Sequence, residues 1–429
     1  MYFAQLKLTN FKNYRAQTFD LSPRLNCFVG MNGMGKTNVL DAIYYLSVCK
    51  SFFNLGDNFL TRHGEDFFRL EGSTADPDPT LSLPQGEGTI RASETTNQTT
   101  EIDLLVATTS PSPSGREGEG LTSSVATTSP SPSGREGVGS AVRTGSLIVK
   151  VQPRKLKVFE YNGVQYEKLS DHIGRFPVVM IAPDDTLLAT EGSEERRRYL
   201  DLTLSQLDKV YLEQLMFYNK VLQQRNAALK QFAQFGQFDK SLIEIYNSQL
   251  LAPARYIHQK RMELMENLQP IFQDYYSVIS GDREQVLCQY ESSLTNTDFA
   301  DLLFNAQEKD RVLQRTTVGI HKDELLFSFD GTPVKRFASQ GQLKSFVLAM
   351  KLTQYELLRQ AKDTKPILLL DDIFDKLDAK RVEHLVGLLL KRDFGQIFIT
   401  DTHESRIADI IKGFDTDYKL FVIEDGVVQ

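Results

Sequence analysis

Eight residues, Gly30-Met31-Asn32-Gly33-Met34-Gly35-Lys36-Thr37, spell G-x-x-x-x-G-K-[ST]. Glycines at these spacings let backbone N–H groups turn inward onto phosphate oxygens, and a helix starting at the motif adds its positive N-terminal end. Lys36 is expected to reach the β and γ phosphates of a nucleoside triphosphate, and the Thr37 hydroxyl to hold Mg²⁺. Such a loop needs a strand before it and a helix after it. Leu25 to Val29 is an apolar, strand-like run, and Thr37 to Val48 carries Val39, Leu40, Ile43 and Tyr44 at helical spacing. ATP with Mg²⁺ is therefore the expected cofactor pair.

Far along the chain, four apolar residues, Ile367 to Leu370, run into Asp371-Asp372. An apolar strand ending in an acidic pair is a Walker B pattern, weak alone and informative behind a phosphate loop. Asp371 would complete the Mg²⁺ shell, and Asp372 would orient or deprotonate the attacking water as the catalytic residue. Another apolar strand, Ile397 to Thr400, ends at Asp401-Thr402-His403. His403 there is either a γ-phosphate sensor or a surface histidine.

These residues need a large scaffold. The 429 residues, 41% hydrophobic and 24% charged, allow two or more domains with an ordinary globular core. A net charge of -7 argues against a uniformly basic nucleic-acid coat and leaves room for a local basic groove. Cys27, Cys49 and Cys288 lack metal spacing, so reduced thiols in a cytoplasmic protein are expected. No apolar run approaches the length of a membrane span, and Met1 to Asn13 does not read as a signal peptide.

In chain order, Phe3 to Leu8 and Ala16 to Leu21 read as a strand pair joined by a turn that feeds the loop-bearing strand. Tyr14 and Arg15 lie between them. Tyr14 reads first as a packed hairpin aromatic and second as a nucleotide or DNA contact. After a strand at Phe67 to Gly72, residues 73–146 turn rich in Thr, Ser, Pro and Gly, and Val106 to Gly118 (VATTSPSPSGREG) recurs unchanged as Val125 to Gly137. A stretch this polar cannot offset its ordering entropy, so a disordered insertion is expected. Strands resume at Leu147 to Val151, Leu156 to Tyr161 and Phe176 to Ala182.

From Gly192 the pattern is helical: Glu194 to Leu207, Val210 to Phe232, and about Lys240 to Leu268, with Pro253 as a kink or a first-turn residue. No heptad repeat lasts long enough for an extended coiled coil. Arg196, Arg197, Arg198, Lys220, Arg225, Lys230, Lys260 and Arg261 recur here, as a solvated face or a phosphate-contacting one. With Lys155 on the adjoining strands, Arg196, Arg197 and Lys220 are the DNA-binding candidates. The expected parts are residues 1–72, 147–190 and 316–429 as an α/β ATPase head, 73–146 as the insertion and 191–315 as a helical lobe.

Ser339-Gln340-Gly341-Gln342 before a helix over Ser345 to Gln360, between a phosphate loop and a Walker B strand, is the signature of ABC-type ATPases. The two halves lie at opposite chain ends with a helical segment between, a layout similar to SMC-like heads. More closely, the chain resembles the RecF family of bacterial recombination mediators. The carrying residues are Asn10-Phe11-Lys12-Asn13-Tyr14, Gly30 to Asn38, Ala182-Pro183-Asp184-Asp185, Gly192 with Arg197-Arg198 and Leu200-Asp201. Further on they are Tyr218-Asn219-Lys220 with Gln224-Arg225-Asn226, Gly319-x-His321-Lys322-Asp323, the Ser339 signature, and Leu370-Asp371-Asp372 to Leu377-Asp378.

The resemblance implies an ABC-type head of the SMC and RecF kind that dimerises on ATP. It implies binding to single-stranded or gapped DNA, work with RecO and RecR to load recombinase, and support of SOS induction. Ser339, Gly341 and Gln342 of one protomer would cap the γ-phosphate held by its partner, giving an isologous dimer. Asp372, one methylene shorter than the glutamate of transporter-type relatives, implies slow hydrolysis that acts as a timer. Alternatives are a nuclease head of the overcoming-lysogenisation type, a transporter ATPase or another SMC-like head. The insertion is foreign to the family pattern, Phe53 stands where an arginine is usual, and Asp41 where a glutamate is common.

Overall fold

The computed structural model describes residues 1–76, 144–281, 284–362, 364–374, 377–412 and 417–429. The chain begins with a hairpin, β1 (Tyr2–Phe11) and β2 (Tyr14–Asp20), then β3 (Leu25–Val29), α1 (Lys36–Val48) and a single turn α2 (Asp57–Leu60). Four strands follow: β4 (Phe68–Ala75), β5 (Thr144–Gln152), β6 (Leu156–Tyr161) and the short β7 (Val164–Gln165). β8 (Val178–Ile181) and a turn α3 (Leu187–Thr190) lead into α4 (Ser193–Leu207), α5 (Lys209–Phe235) and α6 (Lys240–Ser280). β9 (Val286–Glu291), α7 (Phe299–Leu313), β10 (Glu324–Phe329), β11 (Thr332–Pro333) and α8 (Val334–Phe337) connect to α9 (Gln340–Ala361). The chain closes with β12 (Ile367–Leu370), α10 (Ala379–Lys391), β13 (Ile397–Asp401), α11 (Glu404–Lys412), β14 (Tyr418–Glu424) and β15 (Val427–Val428).

The central sheet has the order β15-β14-β3-β13-β12-β8, with β14, β3, β13, β12 and β8 parallel. A parallel sheet covered on both faces needs apolar residues at every position, and alternation then sends successive side chains to opposite sides. Leu25, Cys27, Val29, Val179, Ile181, Leu368, Leu370, Ile397 and Ile399 face one core, shared with α4, α5, α6 and α9. Phe28, Val178, Met180, Ile367, Leu369 and Phe398 face the other, closed by α1 and the antiparallel sheet β2-β1-β4-β5-β6-β7. The α/β reading of the sequence thus holds.

Two boundaries move. The expected lobe over 191–315 contains β9, which pairs antiparallel with β10 of the C-terminal part, and its helices share the first core with the central sheet. The expected insertion is too wide at both ends: Ser73 to Ala75 and Thr144 to Ser146 extend the β4–β5 ladder, whose last pair is Ala75 with Thr144. The remainder of that expectation, including the repeat, lies outside the described residues. Pro253 neither starts nor ends a helix. α6 runs 41 residues through Pro253 and Pro270 and stops where Gly281 takes φ 81° as a left-handed cap. Cys27, Cys49 and Cys288 are buried and unpaired, and burial pushes the Cys27 and Cys49 thiols up to about 12. No helix among the described residues is long and apolar enough to cross a membrane.

Candidate nucleotide-binding site

Ligands of open α/β sheets gather beyond the carboxyl ends of the parallel strands, and this sheet brings its polar residues there. β3 ends at Val29 opposite Asp401 of β13, and Leu370 of β12 pairs with Ile399. The loop from Gly30 to Gly35 therefore begins beside the end of β13, which separates it from the end of β12 that leads into Asp371. Its geometry requires glycine at two points. Gly30 has φ 150° and a Cβ there would sit 2.3 Å from the Ile423 carbonyl oxygen; Gly35 has φ 110° and its Cβ would meet the Asn13 side chain at 2.4 Å. Met31, Asn32 and Gly33 form the exposed tip.

Asn13 and Tyr14 hold the loop from below. Asn13 Nδ2 donates to the Met34 carbonyl at 3.0 Å, Asn13 Oδ1 accepts from Asn38 at 2.7 Å, and the Tyr14 hydroxyl donates to the Gly35 carbonyl at 3.1 Å. The Gly426 N–H of the β14–β15 turn also donates to the Met34 carbonyl. Tyr14 is fully buried, so its packed reading is right and its hydroxyl has a task besides. The sequence reading gave Asn13 no role, although it lies in the quoted Asn-Phe-Lys-Asn-Tyr stretch. Asp41 is equally structural: buried, it pairs with Lys12 at 2.7 Å and accepts from Ser51 and the Phe52 N–H. Phe53 lies under the Lys12 ammonium, 5.3 Å from ring centre to nitrogen.

Lys36 is buried at the start of α1, and its ammonium donates to the Gly30 and Met31 carbonyls at 2.8 and 3.0 Å. Thr37 Oγ1 donates to Asp371 Oδ1 at 2.8 Å, joining the two motifs that the chain separates by most of its length. Thr400, the penultimate residue of β13, donates to the same oxygen at 2.8 Å and accepts from the Asp372 N–H at 2.9 Å. In the sequence Thr400 is the last residue of the apolar run Ile397 to Thr400, and its sole signal is a hydroxyl at the end of that run. Burial raises the Asp371 carboxyl to about 6, against the hydrogen bonds from Thr37 and Thr400. A hydroxyl and a carboxylate held together are hard oxygen donors that suit Mg²⁺, which takes one or two carboxylates and completes its shell with water and phosphate.

Asp372 has φ 43°, a left-handed conformation uncommon outside glycine, and its Oδ1 is buried with no hydrogen-bond partner among the described residues. Strained backbone and an unsatisfied carboxylate at the rim of a phosphate loop are the features expected of a water-orienting base. His403 is exposed two residues past β13, and its N–H donates to Asp401. Asp375 and Lys376 lie outside the described residues. Ser339 is exposed and caps α9 in a capping box with Gln342: its Oγ accepts from the Gln342 N–H, and the Gln342 side chain accepts from the Ser339 N–H. Gly341 lies against Arg381, where a Cβ would come to 3.0 Å. α9 packs on β8, three strands from β3, or about 14 Å across the sheet.

Residues 1–105 match the family description AAA ATPase domain. Proteins named DNA replication and repair protein RecF are similar over their whole length: that of Flavobacterium johnsoniae is 39% identical across 98% of this chain and 99% of its own. That of Parabacteroides distasonis is also 39% identical, across 100% and 99%. The chain belongs to the RecF family. Among solved structures, the recombination mediator RecF with ATP in the RecFOR pathway shares the fold at a TM-score of 0.76 and 24% identity, covering 100% of this chain and 97% of that one. An Smc head bound to the C-terminal winged-helix domain of ScpA gives 0.51 at 12% identity, covering 100% and 96%.

The basic residues of this RecF-family chain divide into two sets. Arg196 is no surface contact: it is buried, donates to the Glu324 carboxylate at 2.7 and 3.1 Å and to the Glu191 carbonyl at 2.7 Å. Arg225 and Arg261 are likewise interior. Arg225 donates to Asp310 and Thr316, and Arg261 to Asp323 and Asp201, so the solvated-face reading fails for both. Apolar flanks and helical spacing conceal such buried pairs, because a charged residue reads as exposed until its partner is found. Arg197 is half-buried and donates to the Asp323 carbonyl at 2.7 Å, while Lys220 on α5 and Lys155 in the β5–β6 turn are exposed.

Proposed function

We propose that this protein is an ATP-dependent DNA-binding protein of replication and recombinational repair, with weak ABC-type ATPase activity. The observation that carries the reading is the junction of Thr37, Asp371 and Thr400 behind a loop whose glycine geometry suits phosphate. Loop N–H groups would receive the phosphates, and Lys36 would exchange the Gly30 and Met31 carbonyls for β and γ oxygens. Mg²⁺, held by Thr37 and Asp371, would neutralise charge on the phosphates. Asp372 then orients the attacking water and accepts its proton. Its short side chain makes hydrolysis slow, so nucleotide state times dimerisation and DNA release. His403 borders the γ-phosphate position.

Ser339, Gly341 and Gln342 reach the nucleotide of a second copy, since α9 sits on the far edge strand of its own sheet. In this reading RecO and RecR are partners in loading recombinase at gaps, with SOS induction downstream, in the cytoplasm; the solved RecF structures are named for the RecFOR pathway. Arg197, Lys155 and Lys220 are the DNA contacts that remain after Arg196 is removed. The test is binding to gapped, single-stranded and duplex DNA with and without ATP. ATP should tighten binding at gaps in the native chain and not in Lys36→Met. Binding that ignores both ATP and Lys36→Met would overturn this reading.

A further inference from the structure

An open cleft of about 660 Å³ lies between the segment after α1, α4, α5 and the turn at Ile320 and His321. Lys50 and Asn54 line it from the first, Arg197 and Arg198 from α4, and Asn219 from α5. The cations crowd one another. Desolvation and the neighbouring Arg198 lower the Lys50 ammonium, with Asp201 opposing. Desolvation and Arg261 lower Arg197, and desolvation, Arg315 and Arg197 lower Lys322 beside the cleft. The acids of the cleft are partly engaged: Asp201 accepts from Arg261 and Tyr211, and Glu195 pairs with Arg198 at 3.5 Å. Glu194 is exposed at the rim.

We propose that this cleft seats a phosphodiester segment of DNA, gripped by Lys50, Arg197 and Arg198. The proposal rests on the DNA-binding reading and places the contact. A lone phosphate needs donors converging on one point. Here the cations come from two separate elements, with the Asn54 and Asn219 amides beside them and exposed Lys220 next to Asn219, which fits an extended polyanion. Arg198 also donates to the Phe52 carbonyl at 2.8 Å, tying α4 to the segment that leaves α1. The cleft therefore adjoins one end of the helix whose other end carries Lys36 and Thr37, about 20 Å away.

Lys50→Glu tests this in the full chain, because no described hydrogen bond or ion pair depends on Lys50. Anisotropy with a labelled gapped oligonucleotide and ATP should show at least tenfold weaker binding and a salt slope shallower by about one. Melting temperature and labelled-ATP affinity should match the native chain, and Lys50→Arg should bind DNA normally. Native affinity in Lys50→Glu overturns the seat and leaves the DNA-binding reading standing. Absence of DNA binding by the native chain overturns both. If Lys36→Met still binds labelled ATP and adding Lys50→Glu abolishes it, the cleft serves free nucleotide and the proposal falls.

Discussion

Asp372 combines two costs that a purely structural residue would shed. A left-handed backbone at a non-glycine residue and a buried carboxylate oxygen without a partner each cost on the order of 1–3 kcal/mol. Asp371, one residue earlier, accepts from both Thr37 and Thr400 at its Oδ1. In the proposed mechanism the pair divides its work, Asp371 at the metal position and Asp372 left for water. Asp372→Asn keeps the shape and removes the proposed base. It should bind ATP as the native chain does and hydrolyse it about a hundredfold more slowly. A phosphate-release assay beside an equilibrium binding assay separates the two effects, and undiminished turnover would remove Asp372 from the chemistry.

At the scale of elements, α1 must be held at both ends to present Lys36 correctly. His172 Nε2 lies 2.6 Å from the Leu46 carbonyl near its C-terminal end, among Phe159, Tyr166 and Phe176. Burial lowers His172 from 6.5 to about 4, and His321 similarly to about 4. Between those values the unfolded chain binds protons that the folded chain refuses. Stability is therefore full above pH 6.5 and falls as pH drops toward 4, by no more than about 3 kcal/mol for each histidine. The melting temperature of His172→Phe should depend less steeply on pH across that window than that of the native chain. Equal slopes would show that the ring titrates normally in the fold.

The β4–β5 ladder supports a second prediction at this scale. Ala75 and Thr144 are paired neighbours, so a two-residue turn can replace residues 76–143 without moving either strand. The shortened chain should keep its melting temperature and its ATP affinity. A large loss of either would mean that those residues support the head. The sequence showed this sheet imperfectly, because Ser73 and Thr74 resemble the polar stretch that follows and reveal themselves as strand only through their partners. By contrast, Leu25 to Val29, Ile367 to Leu370 and the phosphate loop were legible at once, since a doubly buried strand and a glycine-rich turn leave local signatures. Thr400 and Asn13 were not, because their roles exist only across tertiary contacts. Arg196, Arg225 and Arg261 were misread for the same reason.

The whole molecule places its phosphate loop after β3 and its signature at the N-terminus of α9, which packs on β8 three strands away, and this leads to a test in two chains. Lys36→Met should lose tight nucleotide binding, because the ammonium at the loop is gone. Ser339→Arg leaves its own loop untouched and should bind ATP as a monomer, yet fail to dimerise. It also removes an exposed helix cap worth about 1 kcal/mol, so its melting temperature must first be shown to be near native. In a mixture of the two, one composite site of the heterodimer carries both lesions and the other carries neither. The intact site can bind one ATP and bridge the chains. Sedimentation should then show an ATP-dependent heterodimer where neither variant dimerises alone, in keeping with an isologous arrangement. If Ser339→Arg dimerises normally by itself, the N-terminus of α9 does not meet a second nucleotide, and its capping box is the whole of its purpose.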